Sequence, residues 1–329
     1  MPELDIADFY PNFTCVQSEI SRVIVGHSDV IEGALICLFA GGHALLEGVP
    51  GLGKTRLVRA MASSLSLRFS RVQFTPDLMP ADVTGTNIVV DDGHNGRSFR
   101  FQPGPLFGNI ILADEINRAT PKTQSSMLEA MQEHSVTVSG TTYVLEEPFT
   151  VLATQNPVDM EGTYPLPEAQ LDRFMLKLVV GPPSLSELTI ILERTTDKSS
   201  VDLVPVLSSD EVNQMRRLAE SVPIASHVRE YAARLVLATH SNTPYSSPLA
   251  RQYVQLGASP RGAQSLVRAA KIKALLDRRF NVAFEDINAV AQAALRHRLI
   301  FNFDGETDMV SADAVINECI KLQSRKKLK

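Results

Sequence analysis

The sequence predicts an α/β fold, a parallel sheet sandwiched by helices, followed by an all-helical domain. Three observations carry that expectation. From about residue 40 to 180, short apolar runs alternate with stretches of helical spacing. Those runs lack polar alternation, as strands buried on both faces of a parallel sheet do. Beyond Gly181-Pro182-Pro183-Ser184, which breaks the chain, the periodicity becomes helical almost throughout. The expected domains are therefore 1–182, with a helical segment at its start, and 183–329.

The first strand, His43-Ala44-Leu45-Leu46-Glu47, leads into Gly48-Val49-Pro50-Gly51-Leu52-Gly53-Lys54-Thr55. This spacing is G-x-x-x-x-G-K-[ST], the P-loop that cradles phosphates. Glycines are needed because a Cβ would block both the turn and the close approach of backbone N–H groups. Lys54 can reach the β- and γ-phosphates of a nucleoside triphosphate, and the Thr55 hydroxyl can ligate Mg²⁺. Arg56-Leu57-Val58-Arg59-Ala60-Met61-Ala62 leads out at helical spacing, which sets the phosphates on a helix N-terminus. Arg56 completes the candidate nucleotide-binding set.

Arg71-Val72-Gln73-Phe74 is the second strand. Its polar residues Arg71 and Gln73 could reach the surroundings of the catalytic water, but they are kept outside the candidate site. The third, Ile110-Ile111-Leu112-Ala113, ends on Asp114-Glu115, about 60 residues after the P-loop. Asp114 is expected to hold Mg²⁺ through water, and Glu115 to polarise the attacking water. The fourth, Phe149 to Ala153, runs on through Thr154 and Gln155 to Asn156. Ligands bind at the C-terminal ends of parallel strands. An amide there can reach the γ-phosphate or the lytic water; a turn-forming Asn before Pro157 is the competing reading.

Arg173 stands just before the last core strand, Met175 to Val180. Its planar, permanently charged fork suits a phosphoryl transition state, and an ordinary salt bridge is the alternative. In the second domain, Ser208 and Glu211 form a capping box. Ile287, Val290, Ala291, Ala294 and Leu295 line one helix face. Ser259-Pro260 reads as a helix start that puts Arg261 on the first turn, where it could point at a phosphate. Residues 86 to 101 and 136 to 144 read as hairpins inserted into the first domain, the former turning at 91–96 and the latter at Ser139-Gly140.

Composition narrows the function classes. A net charge of -5 over 329 residues, with pI about 5.8, argues against a default grip on nucleic acid. Cys15, Cys37 and Cys319 form no C-x-x-C pair, so neither a disulfide framework nor a zinc site is expected. No apolar run reaches the ~18 residues of a membrane span. The acidic N-terminus lacks signal-peptide character, and a cytoplasmic compartment is the natural reading. His43 reads as a buried, satisfied imidazole.

Together these motifs resemble the AAA+ ATPases, and within them the MoxR family. The likeness runs through Val25-Gly26, Gly41-Gly42-His43, GVPGLGKT, ILADEINRA, ATQNP, GTYPLPEAQLDRF and SPRG, covering essentially the whole chain. It implies a P-loop AAA+ core with a C-terminal helical lid. Val25 and Gly26 join the nucleotide site, and His27 stands where the family pattern has glutamine. Asn156 takes the sensor 1 position, Arg173 the arginine finger and Arg261 the sensor 2. Residues 86 to 101 become the family's helix-2 insert and 136 to 145 its pre-sensor-1 hairpin.

The activity implied is Mg²⁺-dependent ATP hydrolysis by a ring of subunits, six by this resemblance. Its output would be chaperone-like remodelling of a protein client, in complex assembly or metal-centre insertion, with a von Willebrand factor A domain partner. Whether Arg261 serves its own subunit or a neighbour is left open. Two rival classes remain, a nucleic-acid-associated motor and a non-hydrolytic ATP-binding regulator. The acidic pI counts against the first and Glu115 against the second.

Overall fold

The computed structural model describes residues 5–91, 97–157, 163–196 and 202–325. Two helices open the chain, α1 (Ile6–Ser21) and α2 (Ser28–Phe39). Asp5 starts the first, its side chain accepting from the Ile6 N–H in a capping box with Asp8. There follow β1 (Ala44–Glu47), α3 (Lys54–Ser64), β2 (Phe69–Gln73), α4 (Pro80–Thr84), β3 (Gly85–Asp91) and β4 (Arg97–Pro103). Next come β5 (Ile110–Asp114), α5 (Pro121–Glu133), β6 (Ser135–Val138), β7 (Thr141–Val144), β8 (Thr150–Gln155), α6 (Glu168–Leu171) and β9 (Leu176–Val179).

Five of these strands form one parallel sheet in the order β2-β5-β8-β1-β9. Both faces are covered, which is why the strands read as unbroken apolar runs. Leu45, Ile111 and Val151 pack with Met127, Leu128 and Met131 of α5 on one face. Ala44, Leu46, Leu112 and Leu152 pack on the other with α1, α2 and α3. That second cluster continues without a break into the C-terminal helices, through Leu235, Leu266, Ile272 and Leu295.

The two expected hairpins are present. β3 pairs antiparallel with β4 from Gly85↔Pro103 to Asp91↔Arg97, and β6 pairs with β7. The turn between β3 and β4, with Asp92, lies outside the described residues, as does Gly162. Ser139 and Gly140 at the second tip have φ of 50° and 83°, the signs of a tight hairpin turn. The two hairpins also touch. Phe101 of β4 stacks on Tyr143 of β7, with ring centroids 4.0 Å apart and planes 14° from parallel.

Past β9 lie α7 (Leu185–Thr196), α8 (Ser209–Ser221), α9 (Ser226–Ala238), α10 (Pro248–Tyr253) and β10 (Val254–Leu256). The chain continues with α11 (Pro260–Leu276), α12 (Phe284–Leu295), β11 (Ile300–Phe301), α13 (Phe303–Thr307) and α14 (Ala312–Arg325). The Ser208–Glu211 capping box forms, and the predicted apolar stripe of α12 is buried. This helical lid also carries a short antiparallel ladder, β10 with β11, that helical periodicity did not foretell.

Candidate functional site

All five strands run the same way, so their C-terminal ends gather at one edge, where ligands bind in open α/β sheets. Gly48 to Thr55 leaves β1 there and enters α3 at Lys54. Gly51 (φ 85°) and Gly53 (φ 78°) hold left-handed conformations that other residues adopt only under strain. A Cβ on Gly48 would lie 2.6 Å from the Val180 carbonyl, so that position is fitted to glycine. The loop tip through Val49, Pro50 and Gly51 is exposed, while Leu52 packs on the core. The Lys54 ammonium folds back to donate to the Gly48 carbonyl. Partial burial lowers its pKa, with the carboxylates of Asp114, Glu115 and Glu47 acting in the opposite sense. Arg56 is exposed on the first turn of α3.

Asp114 ends β5 beside this loop. Its Oδ2 is 3.5 Å from the Thr55 hydroxyl, and its Oδ1 accepts from Thr154 Oγ1 at 2.7 Å. Glu115 leaves the strand with φ 56°, a left-handed conformation that turns its carboxylate out of the sheet. Its N–H donates to Thr154 Oγ1 at 2.8 Å, so one hydroxyl of β8 ties both acids. Asn156 follows β8 directly and is buried at the same edge. Val25 and Gly26 precede α2, and Gly26 packs against Glu187 of α7, the helix that follows the C-terminal end of β9.

Two residues set aside in the sequence belong to this cluster. Arg71 grips Asp114 Oδ2 through Nη2 (2.7 Å) and Nε (3.2 Å). Gln73 donates to Glu115 Oε2 at 3.0 Å, as does Arg118 from Nη1 at 3.0 Å. The available signal was the pair of long polar side chains at i and i+2, flanking Val72 on this strand.

A Thr hydroxyl beside one carboxylate is a hard-oxygen donor set, and it fits Mg²⁺, which keeps several waters and leans on substrate phosphates. The described residues contain no group of three or more His, Cys, Asp or Glu that could hold an ion by itself.

Arg173 and Arg261 lie elsewhere. Arg173 precedes β9, whose Leu176 pairs with Ala44 at the start of β1. At about 3.3 Å per residue, the length of β1 separates it from its own P-loop by ~15 Å along the strands. Arg261, on the first turn of α11, lines the same cavity of about 260 Å³, together with His43, Arg268 and Arg298. Arg173 Nε is buried there without a hydrogen-bond partner among the described residues. Asp172 anchors the group. Its carboxylate accepts from Ser259 Oγ (2.8 Å) and Arg298 Nε (2.8 Å), and lies 3.9 Å from Arg261 Nη1. His43, on the floor, is the satisfied imidazole the sequence suggested. Nδ1 accepts from the Val151 N–H at 3.0 Å, Nε2 sits 3.0 Å from the Met131 carbonyl, and burial takes its pKa down to about 4.

The comparisons agree with this layout. The sequence profile of the ATPase family associated with various cellular activities (AAA) matches residues 43–176, and that of the AAA lid domain matches 247–319. The uncharacterised protein YeaC of Bacillus subtilis is 44% identical, over 94% of both chains. Chaperone MoxR1 of Mycobacterium tuberculosis is 40% identical over 92% of this chain and 79% of its own. A crystal structure from Cytophaga hutchinsonii, described as that of a proposed ATPase, superposes with a TM-score of 0.89. It shares 40% identity and covers 96% of this chain and 95% of its own. With these relatives matched over most of their length and both family profiles present, this chain belongs to the MoxR family of AAA+ ATPases.

Proposed function

We propose that this chain hydrolyses ATP with Mg²⁺ in a closed head-to-tail ring of six copies, and uses the cycle to remodel or assemble a protein client. The observation that carries the reading is the sorting of the candidate residues onto two opposite edges. Lys54, Thr55, Asp114, Glu115 and Asn156 gather at the C-terminal edge of the sheet, Arg173 and Arg261 at the other. A single copy cannot bring both groups to one phosphate. A heterologous interface that closes can, and it makes a ring.

In this reading residues 1–182 form the nucleotide-binding core and 183–329 the lid. The glycine loop from Gly48 to Gly53 wraps the phosphates with its N–H groups, and Lys54 neutralises the β/γ charge. Arg56, Val25 and Gly26 complete the nucleotide's surroundings. Thr55 and Asp114 would hold Mg²⁺, which when bound neutralises charge developing on the phosphate oxygens. Asn156 orients the water. Glu115 takes its proton as the water oxygen bonds to the γ-phosphorus and the bond to ADP breaks. Arg173 of the neighbouring copy stabilises the transferring group. Because Arg261 shares its cavity, we assign it to the same neighbour's site.

Family membership supports a wider setting, which we offer as part of the same reading. It comprises a cytoplasmic location, a von Willebrand factor A domain partner, and a client in complex assembly or metal-centre insertion.

The test is ATP hydrolysis across mixing ratios of Arg173→Ala and Glu115→Gln, under conditions where subunits exchange. Each pure variant is expected to be nearly silent, and mixtures to regain activity. If verified mixed assemblies never exceed either parent, the trans assignment fails.

A further inference from the structure

We infer that Asp172, locked to the buried guanidinium of Arg298, is the positioning residue that aims both arginines at the neighbouring subunit's nucleotide. This rests on the trans reading above.

Arg298 closes the single 3-10 turn, Arg296–Arg298, that follows α12, and it is almost wholly buried. From there it reaches across to the short loop that carries Arg173. Its Nη2 donates to the carbonyls of Asp172 (2.9 Å) and Phe174 (2.7 Å), and its Nη1 to that of Met175 (3.3 Å). Nε meets the Asp172 carboxylate at 2.8 Å. The guanidinium therefore spends most of its donors on both sides of Arg173, on backbone and side chain alike. That fixes where the Arg173 Cα sits, and with it the point from which its side chain reaches out.

The other half of the joint is the start of α11. Ser259 is the N-cap of that helix and accepts from the Arg261 N–H at 3.1 Å. Its hydroxyl hydrogen goes to Asp172, with both carboxylate oxygens at 2.8 Å. One carboxylate thus sets the helix turn that bears Arg261 and holds the loop that bears Arg173. Lid and loop are joined at this point, and the backbones that bear the two arginines are tied to one carboxylate. A largely buried ion pair costs heavily to break from one side, and this one, a single Nε–carboxylate contact backed by backbone hydrogen bonds, suits a fixed joint.

Asp172→Asn keeps the shape and the acceptor for Ser259 while removing the charge that Arg298 and Arg261 face. Purified Asp172→Asn should bind ATP within about twofold of wild type and lose about tenfold or more in kcat, the pattern of an interaction made in the transition state only. The decisive readout is in trans. Mixed with Glu115→Gln, which has sound arginines and no base, Asp172→Asn should regain activity above both parents, because its own P-loop is whole. A role confined to folding would not give that recovery. Ser259→Ala, which removes one donor and no charge, serves as a second variant with a smaller loss and the same recovery.

Wild-type kcat in Asp172→Asn would overturn the proposal. So would a loss with no recovery while the Arg173→Ala and Glu115→Gln mixture does recover. If that control mixture also stays silent, the trans reading itself is what fails.

Discussion

The Gln73 side chain donates to the Glu115 carboxylate at 3.0 Å, from a strand that pairs Gln73 directly with Asp114. Arg71, two residues back on the same strand, holds Asp114 itself. Both acids are therefore engaged by β2. This strand is the edge of the sheet, and its chain runs on through α4 into the β3–β4 hairpin. Extended loops on a rigid scaffold commonly carry binding. A pull on the hairpin would act first on the strand that holds the acids.

Gln73→Ala should accordingly loosen Glu115, leaving it the Arg118 contact alone, and raise turnover in the absence of any client. The loss of one such hydrogen bond corresponds to a gain of about 3- to 10-fold. ATP affinity should stay unchanged. Steady-state phosphate release measures the first and a fluorescent ATP analogue the second; a fall in turnover would show that Gln73 supports the base instead of restraining it.

Lys54→Ala and Glu115→Gln should fail at different steps. The first removes the flexible cation of the P-loop and abolishes ATP binding. The second keeps binding and loses turnover by about 10²-fold or more, since proton acceptance alone is removed. Equilibrium binding and hydrolysis on the same preparations separate them. Wild-type affinity in Lys54→Ala would refute the P-loop assignment.

Tyr143→Ala should uncouple the hairpins. Its ring lies flat on Phe101, and an aromatic pair contributes about 0.5–1.5 kcal/mol beyond its burial. Amide exchange in residues 97–103 is expected to quicken by about 2- to 10-fold, the equivalent of that energy. Basal ATPase should stay within about twofold, because neither ring touches the phosphate machinery. Unchanged exchange would mean the hairpins hold each other by other means.

Acid should weaken the core through His43. Burial holds its pKa near 4 in the folded chain, against 6.5 when exposed. The stability this contributes is complete above pH 6.5 and is lost as pH falls toward 4, reaching about 3 kcal/mol at most. Glu147 adds a separate loss, confined to pH below about 4.5. Burial pushes its carboxyl up, but the His134 hydrogen bond and the Arg216 charge outweigh that and bring it to about 2. Denaturant midpoints followed by circular dichroism should drop between pH 7 and 5, and His43→Gln should flatten that slope while lowering the plateau. An equal slope in the variant would clear His43.

Much of this was legible because it is local. The P-loop, the apolar strand ending on Asp114 and Glu115, and the caps at Ser208 and Ser259 are each written within a dozen residues, and the structure has them where the spacing put them. What stayed hidden depends on register. Arg71 faces Asp114 only because β2 pairs with β5, two strands distant in sequence. The meeting of Arg173 and Arg261 depends on Arg298, a residue of the lid with no motif around it. The β10–β11 ladder escaped because three residues against two leave too short a pattern to read.

The apolar cluster that passes from the sheet into the lid has a consequence for the integrity of the polypeptide. Helix α11 rests on α1 and α2, and α8 rests on α2, so much of the lid's buried surface belongs to the other half. Severed at residue 182, neither fragment would own a closed interior. The N-terminal piece would bare the faces of α1 and α2 that α8 and α11 cover, and the C-terminal piece would lose what those helices rest against. Each piece therefore leans on the other for its interior, and a cut at this point is expected to cost both of them their solubility.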